Sequence, residues 1–295
     1  MRTRFAPSPT GPLHLGHAYA AIMAHDLAAQ EGGKFLLRIE DIDQSRASAD
    51  WEQAIYNDLE WLGLCWEEPV MRQSDRLPAY RAALDGLWAR QLLFRCDCSR
   101  RDIEAALSAP QEGAPLAVGP DGLIYPGTCR DRGLRVLRSG RPTDAVLRLH
   151  MRLAAEACEP HVTTAAGNTC SLAFEDVGPV HRGWVATTDI EYVNGIGDIV
   201  LARRDMGTSY HLSVVIDDAA QGISHVTRGA DLFEATRIHV LLQRLLGLPT
   251  PVYHHHRLIR DDHGKRLAKR DDARALSKYR ADGATPADIR RMVGL

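Results

Sequence analysis

No apolar run in this sequence is long enough to cross a membrane as a helix, which takes about 20 residues, so a bilayer-spanning protein is not expected. Room for a cleavable leader is lacking too. Met1 is followed almost at once by an apolar strand, and the chain reads as cytoplasmic. There is little excess charge of either sign. A net charge of −2 excludes a protein that coats nucleic acid through bulk basicity, so any contact with RNA must use a local patch. One such patch lies late in the chain, where Arg257, Arg260, Lys265, Arg266, Lys269, Arg270, Arg274, Lys278 and Arg280 crowd together among aspartates, with Arg290 and Arg291 behind them. The six cysteines (65, 96, 98, 129, 158 and 170) do not form the dense framework of a small secreted domain. They are expected to be reduced, with some free to ligate metal.

What is present is an ordinary globular composition. The 295 residues are 45% hydrophobic and 25% charged, enough for one large or two modest domains. The densest signal is at the start. Thr3 to Ala6 reads as a strand, a Pro/Gly loop follows, and His14 and His17 fall in the first turn of a helix running to about Gln30. A strand, a glycine-bearing turn and a helix N-terminus make a phosphate site, because free N–H groups and the positive end of the helix dipole point at one spot. Lys34 to Ile39 is a near-continuous apolar run, as in a buried parallel strand. It delivers Glu40, Asp41 and Asp43 to its carboxyl end, where ligands of open α/β sheets collect. For Asp41 and Asp43, helix capping is an equal reading.

Ser48 to Leu62 reads as an amphipathic helix whose Trp51, Ile55, Leu59 and Leu62 face the core, with Cys65 buried beside them. Tyr80 to Arg90 is the next helix. Alternating strands and helices predict a right-handed parallel sheet. Cys96-Asp-Cys98 and a distant Cys129 suit a zinc ion, which takes about four ligands in a tetrahedron. By spacing alone the fourth ligand could be His161, Cys158, Cys170 or water. Pro110 to Gly122 reads as a mobile surface loop. Further on, residues 197–204 and Tyr210 to Asp218 read as strands, and His225 to Leu232 as the opening of a helix that ends near Leu246.

Arg4-Phe5-Ala6-Pro7-Ser8-Pro9-Thr10-Gly11-Pro12 followed by His14-Leu15-Gly16-His17 resembles the signature loop of class I aminoacyl-tRNA synthetases, in the form of the glutamyl branch. The run from Tyr210 through Asp217-Asp218 to Arg228-Gly-Ala-Asp231-Leu is a second match, and Arg266-Leu267-Ala268-Lys269-Arg270 resembles the lysine-bearing second signature, with alanine in the serine's place. The resemblance implies an α/β fold: a Rossmann-like parallel sheet split by a zinc-bearing insertion, with a short helical C-terminal tail. The segments would be 1–92 and 189–250 for the catalytic halves, 93–188 for the insertion, and 251–295 for the lysine loop and tail, with no anticodon-binding domain. It further implies that His14, Gly16, His17, Arg266, Leu267, Ala268, Lys269 and Arg270 hold ATP with its Mg²⁺, with His14, His17 and Lys269 catalytic. Arg4, Phe5, Ala6, Pro7, Ser8, Glu40, Tyr210 and Arg228 would hold L-glutamate. Glu40 receives its ammonium, and Arg4 and Arg228 can each offer its side chain a guanidinium fork. Cys-x-Cys with Tyr125-x-x-x-Cys129 is similar to the short glutamyl-synthetase paralogues in which a tyrosine hydroxyl is the fourth zinc (Zn²⁺) ligand.

The chain stops about 25 residues after the lysine loop. A compact chain of this length has a radius of gyration of about 19 Å, too small to hold an acceptor end and an anticodon of one tRNA. With that size, the resemblance to the short glutamyl-synthetase paralogues implies a ligase, expected as a monomer, that activates glutamate without tRNA and esterifies queuosine in the anticodon loop of tRNA(Asp). The alternatives are the core of an ordinary glutamyl-tRNA synthetase charging a 3′ end, and a non-catalytic tRNA-binding paralogue.

Overall fold

Thr3, Arg4 and Phe5 are all buried, so β1 (Arg2–Phe5) is covered on both faces, the environment of a parallel strand. The computed structural model describes residues 1–108, 117–130, 140–158, 162–163, 169–260 and 274–295. In it β1 pairs in parallel with β2 (Lys34–Ile39), Arg2 opposite Lys34 and Phe5 opposite Leu37. β2 pairs in parallel with β3 (Glu67–Arg72). Parallel neighbours need long crossovers, and these are α1 (Leu15–Gln30) and α2 (Ala49–Trp61); α3 (Leu77–Ala89) follows β3. Ser48 caps α2 by accepting from the Trp51 N–H at 3.2 Å. Ile55, Leu59 and Leu62 enter the core as expected. Trp51 does not: it stands in the first turn and is 38% exposed. Cys65 is exposed rather than buried, because the chain turns through Gly63 (φ +75) and sends Leu64 inward instead.

The insertion begins at strand Leu93–Cys96, antiparallel to Val146–Leu149, which also pairs with Val200–Ala202. Much of the expected loop at 110–122 lies outside the described residues. Its described end is a hairpin, Val118–Gly119 against Gly122–Leu123. In the second half, strand His225–Gly229 runs parallel to Val252–His256, which in turn meets Thr169–Asp176. The two halves join at β1, where the Ser224 N–H donates to the Arg2 carbonyl at 3.1 Å.

Two expectations fail here. Tyr210–Ala220 is a helix, not a strand, capped by Ser209. Its run of Val and Ile looks like a buried strand, and periodicity cannot separate that from a helix buried nearly all round. His225–Gly229 is a strand, not a helix opening; the helix Phe233–Leu246 starts after one 3₁₀ turn, Ala230–Leu232. The tail is helical as expected, Leu276–Ala281 and Pro286–Val293. It docks on α1: Arg290 grips Asp26 at 2.7 and 3.1 Å, and Leu276, Ile289 and Val293 join the apolar cluster under α1. No helix among the described residues is long and apolar enough to cross a membrane.

Candidate active site

His14 is the N-cap of α1 and His17 is its third residue. His14 Nδ1 accepts from the Gly16 N–H at 3.1 Å, and His17 Nδ1 accepts from the His14 N–H at 3.2 Å, a reciprocal capping box built from two imidazoles. Both Nδ1 atoms are acceptors, so each neutral ring carries its proton on Nε2. The rings lie 3.8 Å apart, centroid to centroid, at the positive end of the helix dipole.

Beside them sits a buried cluster of alternating charge. Asp218 accepts from Arg4 through both oxygens, at 2.9 and 3.3 Å, and from Arg38 at 2.6 Å. The other arm of Arg38 donates to Glu40 at 3.1 Å. Burial pushes the Asp218 carboxyl up, but Arg4 and Arg38 outweigh it and hold the group down at about 2. At Glu40 burial wins over the same two arginines, and its carboxyl rises above the usual range. Arg4 turns Nε and Nη2 to Asp218 and Nη1 to the Thr227 carbonyl, so its charge is already paired with a carboxylate, whereas the partners of Arg228 are neutral. Asp41 is a capping residue: it accepts from the Ser74 N–H and hydroxyl at 2.8 and 2.6 Å. Asp43 accepts from Ser45 within its own turn.

Arg228 is buried at the end of its strand. Its Nε donates to His255 Nε2 at 3.2 Å, Nη1 to His239 Nδ1 at 3.0 Å, and Nη2 to Thr236 Oγ1. Three of five N–H donors are engaged, and among the described residues none of these partners is a carboxylate. His255 in turn bonds Asp176 through Nδ1. Burial, then the charge of Arg228, pushes both His239 and His255 well below the usual imidazole range, so both rings are neutral. Burial raises the Tyr210 hydroxyl, which keeps its proton.

These groups converge on one cleft of about 390 Å³. Arg4, Phe5, Ala6, His14, Gly16, His17, Glu40, Tyr210 and Arg228 all line it, joined by Asp231, His256 and Arg257. Gly229 stands where a Cβ would meet Leu258 at 2.9 Å and the Asp231 carboxylate closer still, so the wall closes only around glycine there. Ser8 instead lines an adjoining cavity of about 640 Å³, which shares Glu40 and Tyr210 with the first. Pro7 lines neither cavity; its carbonyl accepts from the Glu40 N–H at 3.0 Å and so fixes the end of β2. Arg266, Leu267, Ala268, Lys269 and Arg270 lie outside the described residues, as does His161. The residues flanking that stretch are at the cleft, however: Ile259 lines it, and Ala275 forms a backbone bridge with His14. Sequence reasoning missed the supporting residues Arg38, Asp218, His239, His255, Asp176 and Thr236. Asp218 was visible within the Asp-Asp pair, but nothing local marks the others.

A second cluster sits in the insertion. The Sγ atoms of Cys96, Cys98 and Cys129 all lie within 4.8 Å of one another. Cys98 Sγ is 3.5 Å from Cys129 Sγ, and the Tyr125 hydroxyl is 3.5 Å from both Cys96 Sγ and Cys98 Sγ. Tetrahedral zinc with ordinary bond lengths separates sulfur from sulfur by about 3.8 Å and sulfur from oxygen by about 3.5 Å. The four side chains therefore fit one such ion. Burial pushes the Cys98 thiol up to about 11 and the Tyr125 hydroxyl higher, so an ion bound here would have to displace their protons. Cys158 is buried as a free thiol apart from this cluster.

Comparison with known proteins agrees with this geometry. The family described as class I tRNA synthetases (E and Q), catalytic domain, matches residues 1–117 and 180–295. A glutamyl-Q tRNA(Asp) synthetase of Rhodobacter capsulatus is 65% identical over all 295 residues, covering the whole of both chains. Another, from Geobacter sulfurreducens, is 40% identical over 94% of this chain and 78% of its own. A crystal structure of a glutamate tRNA ligase from Elizabethkingia meningosepticum in complex with its amino acid superposes with a TM-score of 0.75 at 27% identity. It covers 99% of this chain, which spans 60% of that longer protein.

Proposed function

We propose, for a chain that belongs to the class I tRNA synthetases of the E and Q type, that it activates L-glutamate with ATP and transfers it to queuosine in the anticodon of tRNA(Asp). The observation that carries the reading is the pairing of opposite charges in one cleft beside a helix N-terminus. Arg228 is a buried cation held by neutral partners, suited to a side-chain carboxylate. Glu40 is a carboxylate on the same cleft, suited to an α-ammonium. His14 and His17 add Nε2–H donors that a triphosphate oxygen can accept, at the end of α1 where anions are favoured.

On this reading an oxygen of the α-carboxylate attacks the α-phosphorus of ATP in line, the bond to the β-phosphate bridge breaks, and pyrophosphate leaves. No covalent enzyme intermediate is required. The protein's work is positioning and charge stabilisation, by His14, His17 and Lys269, with Mg²⁺ carried by the nucleotide. A queuosine hydroxyl, entering through the adjoining 640 Å³ cavity, then attacks the glutamyl carbonyl carbon, and AMP leaves. The larger cavity opens beside Arg46 and Arg203, two exposed cations suited to loop phosphates. ATP and tRNA as substrates put the reaction in the cytoplasm. The protein should catalyse glutamate-dependent exchange of labelled pyrophosphate into ATP with no tRNA added; strict dependence on tRNA would contradict this reading.

Zinc belongs to the same proposal. Cys96, Cys98, Tyr125 and Cys129 would hold it with no open position for chemistry, so its role is structural. Protein purified without chelators should contain about one zinc per chain by elemental analysis. Metal-free protein of unchanged thermal midpoint would contradict the assignment.

A further inference from the structure

One of the hydrogen-bond chains that begins at Arg228 leaves the cleft altogether. A guanidinium can only donate, so His239 Nδ1 accepts from Arg228 Nη1 at 3.0 Å and the His239 proton sits on Nε2. That Nε2–H donates to His211 Nδ1 at 3.1 Å. The His211 proton is then on its own Nε2, which donates to Asp121 Oδ1 at 3.3 Å. One pair of neutral tautomers satisfies all three bonds, and no other pair does. The chain therefore has a direction, from cation through two imidazoles to carboxylate. Both rings are buried, His211 at 7% and His239 at 2% exposure, so a broken link would leave a buried polar atom unsatisfied.

The far end lies in the insertion. Asp121 is in the turn between Val118–Gly119 and Gly122–Leu123, and with His211 it lines the larger cavity rather than the cleft. His211 comes from the helix Tyr210–Ala220 and His239 from the helix Phe233–Leu246, so three separate elements fix one arginine. Long side chains lose substantial rotamer freedom when held. An arginine fixed beforehand in a single rotamer binds a carboxylate without bearing that loss at the moment of binding.

We propose that Asp121, His211 and His239 are positioning residues for glutamate, a relay that holds the Arg228 guanidinium ready for the substrate's side-chain carboxylate and ties that pocket to the insertion hairpin. The inference rests on the role given to Arg228 above. None of the three needs to touch glutamate.

The test is pyrophosphate exchange by the full chain, with KM measured separately for L-glutamate and ATP. His239→Leu removes both links of the relay. It should raise the glutamate KM by roughly tenfold to a hundredfold while leaving the ATP KM within about twofold, the signature of lost binding at one substrate only. His239→Gln can accept from Arg228 and donate to His211 through one amide, and should return the glutamate KM to within about threefold of the parent. Asp121→Ala lies in a surface turn and keeps the test alive if His239→Leu fails to fold; it should raise the glutamate KM by roughly threefold to tenfold. Equal shifts in both KM values, a glutamine variant as impaired as the leucine one, or unshifted glutamate KM in both His239→Leu and Asp121→Ala would each overturn the relay. Absence of glutamate-dependent exchange in the parent protein would instead overturn the functional reading beneath it.

Discussion

Asp218→Asn is expected to destabilise the fold by about 3–5 kcal/mol, the scale of breaking a buried ion pair from one side. Asp218 is the one group among the described residues that accepts hydrogen bonds from both Arg4 and Arg38, and Arg38 is fully buried. With the carboxylate neutralised, Glu40 and Asp217 are the carboxylates left to offset the two guanidiniums. The acid limb should change as well. The Asp218 carboxyl is held at about 2, below its unfolded value near 3.9, so its contribution is complete above pH 4 and lost as pH falls towards 2. His239 and His255 work in the same direction at milder pH. Their folded values lie below about 6.5, the unfolded value, so the stability of the neutral rings is complete above that pH and fades below it. Urea unfolding at pH 7 should show the loss, with a thermal midpoint lower by roughly 5–8 °C. A change below about 1 kcal/mol would mean that the cluster contributes little net stability.

Lys269→Ala is expected to slow glutamate-dependent exchange by roughly a hundredfold or more, the scale of removing one group that stabilises transition-state charge. The position follows from Arg266-Leu267-Ala268-Lys269-Arg270 in the sequence, and the flanking Ile259 and Ala275 both lie at the cleft. Ala268 offers no hydroxyl where the resembling signature has serine, so more of the task falls on the lysine charge. The thermal midpoint should stay near the parent's, because the loss is in the transition state. A fall in rate below about tenfold would move the charge-stabilising role to His14 and His17.

The catalytic cleft was legible in the sequence where local chemistry and long-range placement coincide. Arg2 to His17 spells out strand, turn and helix start together, and β2 ends at Ile39, just before Glu40, where the near-continuous apolar run stops. The cysteine cluster was legible by spacing, although its tyrosine came only through resemblance. Legibility failed where the same residues suit two structures. Val214, Val215 and Ile216 favour a strand in isolation, but burial on nearly every side made them a helix. Gly229-Ala-Asp231 looked like a helix entry one strand too early. The support around Arg228 was invisible for another reason. Thr236, His239, His255 and Asp176 are brought together only by tertiary packing, from helix and strand segments with no shared motif. The pairing of Arg4 with Asp218 is hidden in the same way, because the two lie 214 residues apart.

The central claim is the acceptor. The protein should be incubated with labelled glutamate, ATP and tRNA(Asp) prepared with and without queuosine, alongside tRNA(Glu). The account predicts label in tRNA(Asp) only when queuosine is present, and none in tRNA(Glu). Label at the 3′ end of tRNA(Glu), with queuosine-bearing tRNA(Asp) left unlabelled, would contradict it.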